Sequence, residues 1–182
     1  MSVVAACGPL APAHGVGRER ATRFLDMPIL LRPLRDADLD ALFRWESDPE
    51  ATAMAAFTRE DPTDRAAFDA HYRRIRAIDA VMLRAIELDG VFVGSVGSFD
   101  MEGDRELSYW VDPARWGQGI ATAGVGAFLE LEPQRPLHAR TAAHNPRSAA
   151  VLARHGFRRV GQERSWSAHL STMVDEHIHR LD

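Results

Sequence analysis

Two glycines one residue apart, Gly117 and Gly119, lie between a strand-like run at residues 106–111 and a helix-like run at 121–131. The first backbone N–H groups of a helix have no acceptor inside it, and the helix dipole favours negative charge there. Glycine lets a bulky phosphate approach the backbone closely. The spacing therefore predicts an anion site, and the ligand that we expect there is a pyrophosphate.

The glycines by themselves leave a phosphate site and a plain tight turn equally open. A dinucleotide fingerprint needs a third glycine, but Thr122 stands at that position. A nucleotide-binding phosphate loop needs Gly-Lys-Ser/Thr, and this chain has no lysine. Neither common phosphate motif therefore matches, and the neighbouring sequence has to decide.

Two blocks in a fixed order supply that decision. Residues 109–122 contain Trp-Gly-x-Gly-x-Ala-Thr, and residues 145–157 contain Asn-x-x-Ser and end in Gly-Phe. Together they resemble the GNAT N-acetyltransferase superfamily, most closely the branch of the ribosomal-protein alanine N-acetyltransferases RimJ and RimL. The superfamily usually carries Gln or Arg two positions before its Gly-x-Gly/Ala pair. When Gly119 and Ala121 fill that pair, Gly117 takes the position, and the RimJ/RimL branch tends to carry Trp-Gly there.

The resemblance extends from about residue 29 to the C-terminus and implies an α/β (α+β) fold. In this GNAT fold, a mixed, mostly antiparallel sheet of about six to seven strands is splayed between the fourth and fifth strands and flanked by about four helices. We expect one domain at residues 28–182. Residues 1–27 are rich in Ala, Gly and Pro, which predicts a poorly ordered N-terminal extension.

Acetyl-CoA is the co-substrate that the resemblance implies. Backbone donors of residues 118–122 would face its pyrophosphate, and Arg115 or Arg147 would meet phosphate oxygens. The region of Val111 would bind the pantetheine arm, Asn145 would hold it, and Ser148 would lie near the sulfur. The expected cofactor-binding residues are Val111, Arg115, Gly117, Gln118, Gly119, Ile120, Ala121, Thr122, Asn145 and Ser148.

Acyl transfer to an amine needs a neutral amine, donors for the oxyanion and a proton for the leaving thiolate. Glu106 shares a strand face with Ser108 and is the candidate base; the alternative is a solvated or ion-paired carboxylate. Ser148 is the candidate acid, with a simple helix first-turn hydroxyl as the alternative. Ser167 stands roughly where the RimL pattern would have a glutamate, so the identity of the base stays open.

The expected activity is acetyl transfer to the primary amine of a protein N-terminus, a metabolite or an antibiotic. The competing interpretation is a non-catalytic module that keeps the fold and binds CoA or a partner as a sensor. Gly117, Gly119, Asn145 and Ser148 favour the enzyme. The resemblance also makes a homodimer plausible.

Composition argues against several other classes of function. The net charge of -4 argues against a broad nucleic-acid-binding surface. No apolar run reaches the roughly 18 residues needed to span a membrane, so we expect neither a nucleic acid nor a membrane as partner. A single cysteine, Cys7, excludes an internal disulfide. The eight histidines lack carboxylate or cysteine neighbours at ligand spacing, so we expect no metal. The default expectation is a cytoplasmic protein.

The elements that must position these residues follow from hydrophobic periodicity and turn residues. Helices are predicted from Asp36 to Glu46, from 64 to 78 with Thr63 or Asp61 as cap, and from 146 to 155 before Gly156, while residues 50–57 are ambiguous, with a short helix as one alternative. Asp89-Gly90 predicts a hairpin between two strands. The predicted strands are 29–34, 81–88, 91–99, 105–111, a parallel strand at 137–142, and a final antiparallel pair at 157–163 and 173–181.

Overall fold

Seven strands and five α-helices make up the part of the chain described by the computed structural model, residues 27–182. The predicted N-terminal extension therefore lies, apart from Met27, outside the described residues. The strands are β1 (Ile29–Pro33), β2 (Met82–Leu88), β3 (Val91–Met101), β4 (Asp104–Val111), β5 (Leu137–Ala142), β6 (Arg158–Ser167) and β7 (Thr172–Leu181). The helices are α1 (Leu39–Glu46), α2 (Pro49–Ala55), α3 (Arg65–Ile75), α4 (Ile120–Leu129) and α5 (Pro146–Arg154).

The strands form one sheet in the order β1-β2-β3-β4-β5-β7-β6. All neighbours are antiparallel except β4 and β5, which confirms the mixed, mostly antiparallel sheet. β4 and β5 pair only at Arg105↔Leu137 and Glu106↔His138, and then diverge. The predicted splay between the fourth and fifth strands is therefore confirmed. No helix among residues 27–182 is long and apolar enough to cross a membrane.

The helices differ in detail from the sequence-based prediction. A fifth helix, α2, forms because Pro49 fits its first turn and the Asp48 carboxylate accepts a hydrogen bond from Ala51 N at 2.9 Å. The predicted cap Asp36 instead lies in a 3-10 turn at Asp36–Asp38. The predicted Thr63 or Asp61 cap of α3 is also wrong, since Asp64 accepts from Ala67 N at 2.9 Å.

Strand β4 is shared by two hydrophobic cores on opposite faces of the sheet. Leu107 and Tyr109 pack in the core beneath α4 and α5. Trp110 packs in the core beneath α1, α2 and α3. Because successive side chains of a strand point to opposite faces, this one strand reaches both layers of the molecule.

A buried ion pair anchors the start of β4, next to its short contact with β5. Arg105 Nε and a terminal guanidinium nitrogen lie 3.0 and 2.9 Å from Glu132 Oε2, which also accepts from Ser98 Oγ at 2.5 Å. Burial, which raises the pKa of Glu132, is outweighed by hydrogen bonds from Ser98, the Gln134 amide and Arg105, so the pKa lies below its ordinary value. This carboxylate therefore stabilises the fold above its ordinary pKa, and the contribution is lost as the pH falls through the folded value.

Replacing Glu132 by Ala should lower the free energy of unfolding by about 3–5 kcal/mol, because Arg105 is left charged and buried without this partner. Urea denaturation measures the change. The exposed pair of Asp40 and Arg65 is the control: Asp40→Ala should cost less than about 1 kcal/mol. Equal losses in the two variants would contradict a special role for the buried pair.

Candidate active site

The loop between β4 and α4 is fixed at both ends by its own residues. Asp112 Oδ1 accepts from Ala114 N at 3.0 Å, and Pro113 opens a 3-10 turn at Pro113–Arg115. The Trp116 indole N–H donates to Val111 O at 3.1 Å and ties the loop to the end of β4. These hydrogen bonds give the loop a defined conformation.

Within residues 27–182, the backbone N–H groups of residues 117–122 have no hydrogen-bond acceptor, and the first hydrogen bond of α4 joins Ala123 N to Gly119 O at 3.0 Å. Gly117 and Gly119 adopt φ of 77° and 86°, a region that glycine occupies readily. Gly117 and Gln118 are exposed, whereas Ile120, Ala121 and Thr122 are buried. A Cβ built on Gly117 would meet no atom within 4 Å. The loop therefore offers open space beside free amides at a helix start, which fits a diphosphate.

Two arginines were predicted to bind the phosphates, one in this loop and one at the start of α5. Arg115 is partly exposed, and its Nε lies 3.7 Å from Asp112 Oδ2. Arg147 is half-buried in the first turn of α5. The sequence predicts that one of these two arginines meets phosphate oxygens, and their contacts with the protein do not distinguish between them.

The last residues of β4 turn backbone groups toward the gap beside β5. Asp112 N donates to Val93 O at 2.9 Å, so Asp112 is a hydrogen-bonded partner of β3. In an antiparallel pair such residues alternate with ones whose backbone groups point the other way. Val111 therefore directs its N–H and C=O away from β3, although its carbonyl already accepts from Trp116.

Asn145 and Ser148 lie at the start of α5, and both are fully buried. Asn145 caps the helix, since its Oδ1 accepts from Ser148 N at 3.1 Å, and its Nδ2 donates to Met54 O at 3.2 Å. The Tyr109 hydroxyl lies 2.9 Å from Ser148 Oγ. Ser148 is thus hydrogen-bonded to the central strand, a partnership that the sequence did not reveal. The amide of Asn145 acts within the protein, joining α5 to the end of α2.

Glu106 lies on the opposite face of β4 and is only 3% exposed. Arg140 Nε lies 3.2 Å from its Oε1, and the same guanidinium contacts Glu163 at 2.8 Å and Glu176 at 3.3 Å. Burial raises the pKa of Glu106 to about 7, against the opposing effect of Arg140 and with help from the negative charge of Glu176. Glu106 is therefore an ion-paired carboxylate whose pKa near neutrality suits a base.

Two cavities flank Trp110 on this same face of the sheet, with volumes of about 300 and 370 Å³. Four residues line both cavities: Glu46, His71, Tyr72 and Trp110. The smaller cavity also contacts Phe57 and Trp166, and the larger one contacts Ser108. Glu106 lines neither cavity. Ser108, the next residue on the same face of β4, lines the larger one.

Sequence reasoning missed the polar group at the junction of these cavities. The Tyr72 hydroxyl donates to Glu46 Oε1 at 2.5 Å, and Arg59 donates to Glu46 Oε2 at 2.6 Å. Burial raises the pKa of Glu46, although both partners favour its charged form. A signal was present, because Glu46 follows Leu39, Leu42 and Phe43 at helical spacing on the apolar face of α1.

Comparisons with known proteins agree with this geometry. A family model described as acetyltransferase (GNAT) domain matches residues 29–158, whereas no curated protein sequence matches the chain. Mycobacterium smegmatis RimJ in complex with CoA-disulfide is 26% identical, with 84% of this chain and 81% of that chain covered and a TM-score of 0.69.

Two further solved structures share the fold at lower identity. Spermidine N-acetyltransferase from Vibrio cholerae, in complex with CoA and spermine, is 15% identical, with 84% of this chain and 94% of that chain covered and a TM-score of 0.71. The protein yncA from Salmonella typhimurium, with its cofactor acetyl-CoA, is 18% identical, with 85% and 93% covered and a TM-score of 0.69.

The carboxyl group of Glu106 should titrate near pH 7 in a ¹³C NMR experiment. Arg140→Met should raise this pKa further, because the guanidinium that favours the charged carboxylate is lost. Arg158→Met is the control, since Arg158 is exposed and pairs with Asp182. A Glu106 that titrates at the ordinary value of 4.5, or that ignores the loss of Arg140, would contradict the described cluster.

Proposed function

This chain belongs to the GNAT acetyltransferase family and is an N-acetyltransferase, and we propose that it transfers an acetyl group from acetyl-CoA directly to a primary amine. The observation that carries the proposal is the row of backbone N–H groups at residues 117–122, which have no acceptor within residues 27–182 and lie beside the gap between β4 and β5. Free amides at a helix start attract a phosphate, and a gap beside a strand can receive an extended arm.

The donor's pyrophosphate would lie on the amides of Gln118 to Thr122, with Gly117 and Gly119 keeping side chains out of its path. Arg115 or Arg147 would neutralise remaining charge. The amides of the pantetheine arm would follow the free edge of β4 near Val111, and Asn145 would keep the opposite wall, α5, in place. Together these groups would aim the thioester at the face of β4 that carries Ser108 and Trp110.

The chemistry requires a base on the acceptor side and a proton donor on the thiol side. Glu106 would accept the proton of the attacking amine through water, because it lines neither cavity and its pKa near 7 leaves much of it ionised at neutral pH. Ser148, hydrogen-bonded to Tyr109, would protonate the leaving thiolate. The C–N bond forms, the tetrahedral intermediate collapses, and the C–S bond breaks to release CoA thiol and the amide.

Two finer assignments rest on resemblance. The Trp-Gly turn and the similarity to RimJ support a RimJ/RimL-like enzyme, for which a protein N-terminus is one acceptor class. A free α-amine has a pKa of about 7.7–8.0, so a modest base suffices to keep it reactive. A homodimer stays a prediction for sedimentation analysis.

Gly117→Ala should weaken CoA binding at least about tenfold, since a methyl group would enter the space of the phosphate and strain the turn. Isothermal titration calorimetry measures the affinity. Gly90→Ala is a matched control, because Gly90 also has φ of 77° and open space around a built Cβ. If the two variants bind CoA equally well, the loop does not hold the pyrophosphate.

Release of CoA thiol from acetyl-CoA should depend on an added primary amine. In wild type, kcat/KM should rise with pH through an ionisation near 7, and Glu106→Gln should lower kcat about 10²–10⁴-fold and remove this limb. Acceptor-independent hydrolysis is the background to subtract. Unchanged turnover of Glu106→Gln across the pH range would exclude Glu106 as the base. If the wild-type protein binds CoA but no added amine causes thiol release, the proposed reaction is wrong.

A further inference from the structure

The larger cavity beside Trp110, which we call the acceptor chamber, exists because small residues lie beneath α3. Ser95 and Gly97 of β3 and Ser108 of β4 line it, and Gly97 pairs directly with Ser108. Large side chains at these positions would fill the space between sheet and helix. The resulting volume of about 370 Å³ is in the range of small-molecule sites.

Apolar side chains form most of the remaining wall. Ile75 and Ile78, from the end of α3 and the turn after it, line the chamber together with Val81 and Leu83 at the start of β2. The Met82 side chain instead packs in the core on the other face of the sheet. Ile78 is 46% exposed, so the chamber opens outward along this apolar rim. A ligand body that buries apolar surface here gains about 25 cal/mol for each Å² removed from water.

The carboxylates of the chamber already have partners. Both oxygens of Glu46 accept hydrogen bonds, from Tyr72 and from Arg59. Asp100, at the exposed rim, accepts from Arg105 at 3.2 Å. Among residues 27–182, the lining of the chamber contains no other carboxylate. A second positive charge on a ligand would therefore enter an apolar space without an unengaged counter-ion, which is costly.

Two buried polar atoms at the inner end of the chamber have no partner among the described residues: Trp110 Nε1 and His71 Nδ1. Burial, together with the positive charges of Arg74 and Arg59, lowers the pKa of His71 to about 4, so its imidazole is neutral. A buried polar atom without a partner is uncommon and costs about 1–3 kcal/mol. A ligand amine would satisfy His71 Nδ1 by donating to the ring in the tautomer whose Nδ1 is unprotonated, whereas Trp110 Nε1, which only donates, would pair with a hydrogen-bond acceptor atom of the bound acyl donor or amine.

We propose that the acceptor of this enzyme is a primary amine on an apolar, otherwise uncharged body, with the amine at His71 and Ser108 and the body along Ile75, Ile78, Val81 and Leu83. The inference rests on the proposed function and names its substrate class. The apolar wall binds the body, and the lack of an unengaged carboxylate disfavours polyamines. This differs from the spermine seen with the Vibrio cholerae relative.

A panel of amines tests the assignment. 2-Phenylethylamine and 3-methylbutylamine have apolar bodies, whereas 1,4-diaminobutane and spermidine carry further positive charges. We expect kcat/KM for acetyl-CoA-dependent thiol release to be at least about tenfold higher for the apolar amines. Calorimetric binding of each amine to the CoA-loaded protein should show the same order, independently of turnover. A preference for the diamine or spermidine would overturn the inference and leave the proposed acetyl transfer intact.

Ile78→Glu places a carboxylate on the apolar rim and should reduce the preference for 2-phenylethylamine over 1,4-diaminobutane about tenfold or more. Leu131→Glu is the matched control, because Leu131 is also 46% exposed and lies outside the chamber lining. Equal behaviour of the two variants would overturn the chamber assignment, as would a failure of the apolar amines to bind. Binding of apolar amines that Ile78→Glu weakens, without thiol release, would support the chamber and contradict the proposed function.

Discussion

A parallel contact of only two residue pairs, between the starts of β4 and β5, is the constraint on which the candidate site depends. Strands that pair along their whole length would satisfy each other's backbone groups and close the sheet. Here the buried pair of Arg105 and Glu132 anchors the closed end. Beyond it, the edge of β4 remains available to an extended ligand, and the free amides before α4 lie at the end of that strand.

The alternation of side chains along β4 divides the chemistry between two faces. Tyr109 points toward α5 and contacts Ser148, while Ser108 and Trp110 point to the opposite face, where Trp110 packs beneath α1 to α3 and Glu106 contacts Arg140 of β5. An acceptor and an acyl donor that approach from opposite faces would therefore meet at this strand. A single strand can serve both because its side-chain period is two.

The ion pairs differ between two regions on the face of β4 that carries Glu106 and Trp110. Around Glu106, one guanidinium, that of Arg140, is shared by three carboxylates, and burial keeps the pKa of Glu106 near 7. Around Trp110, the single buried carboxylate of Glu46 is held by a tyrosine and an arginine. The first arrangement leaves a group that can exchange a proton at neutral pH, and the second leaves the buried carboxylate of the chamber already paired.

Local sequence determined the features that depend on neighbouring residues. The glycine turn with its helix start, the hairpin at Asp89-Gly90 and the parallel strand after a helix all follow from turn chemistry and periodicity. Cap positions were less secure, because Asp61, Thr63 and Asp64 are all competent and only the folded loop selects Asp64.

Tertiary structure alone decided the partners of the functional groups. Glu46 meets Tyr72 across 26 positions, Glu106 meets Arg140 across 34, and Tyr109 meets Ser148 across 39. Periodicity tells which face a side chain takes, but not which distant element packs against that face. Those partners set the pKa values and the volume of the chamber. The sequence therefore specified a glycine turn and a fold, and the packing of helices on the sheet specified the environment of Glu46, Glu106 and Ser148.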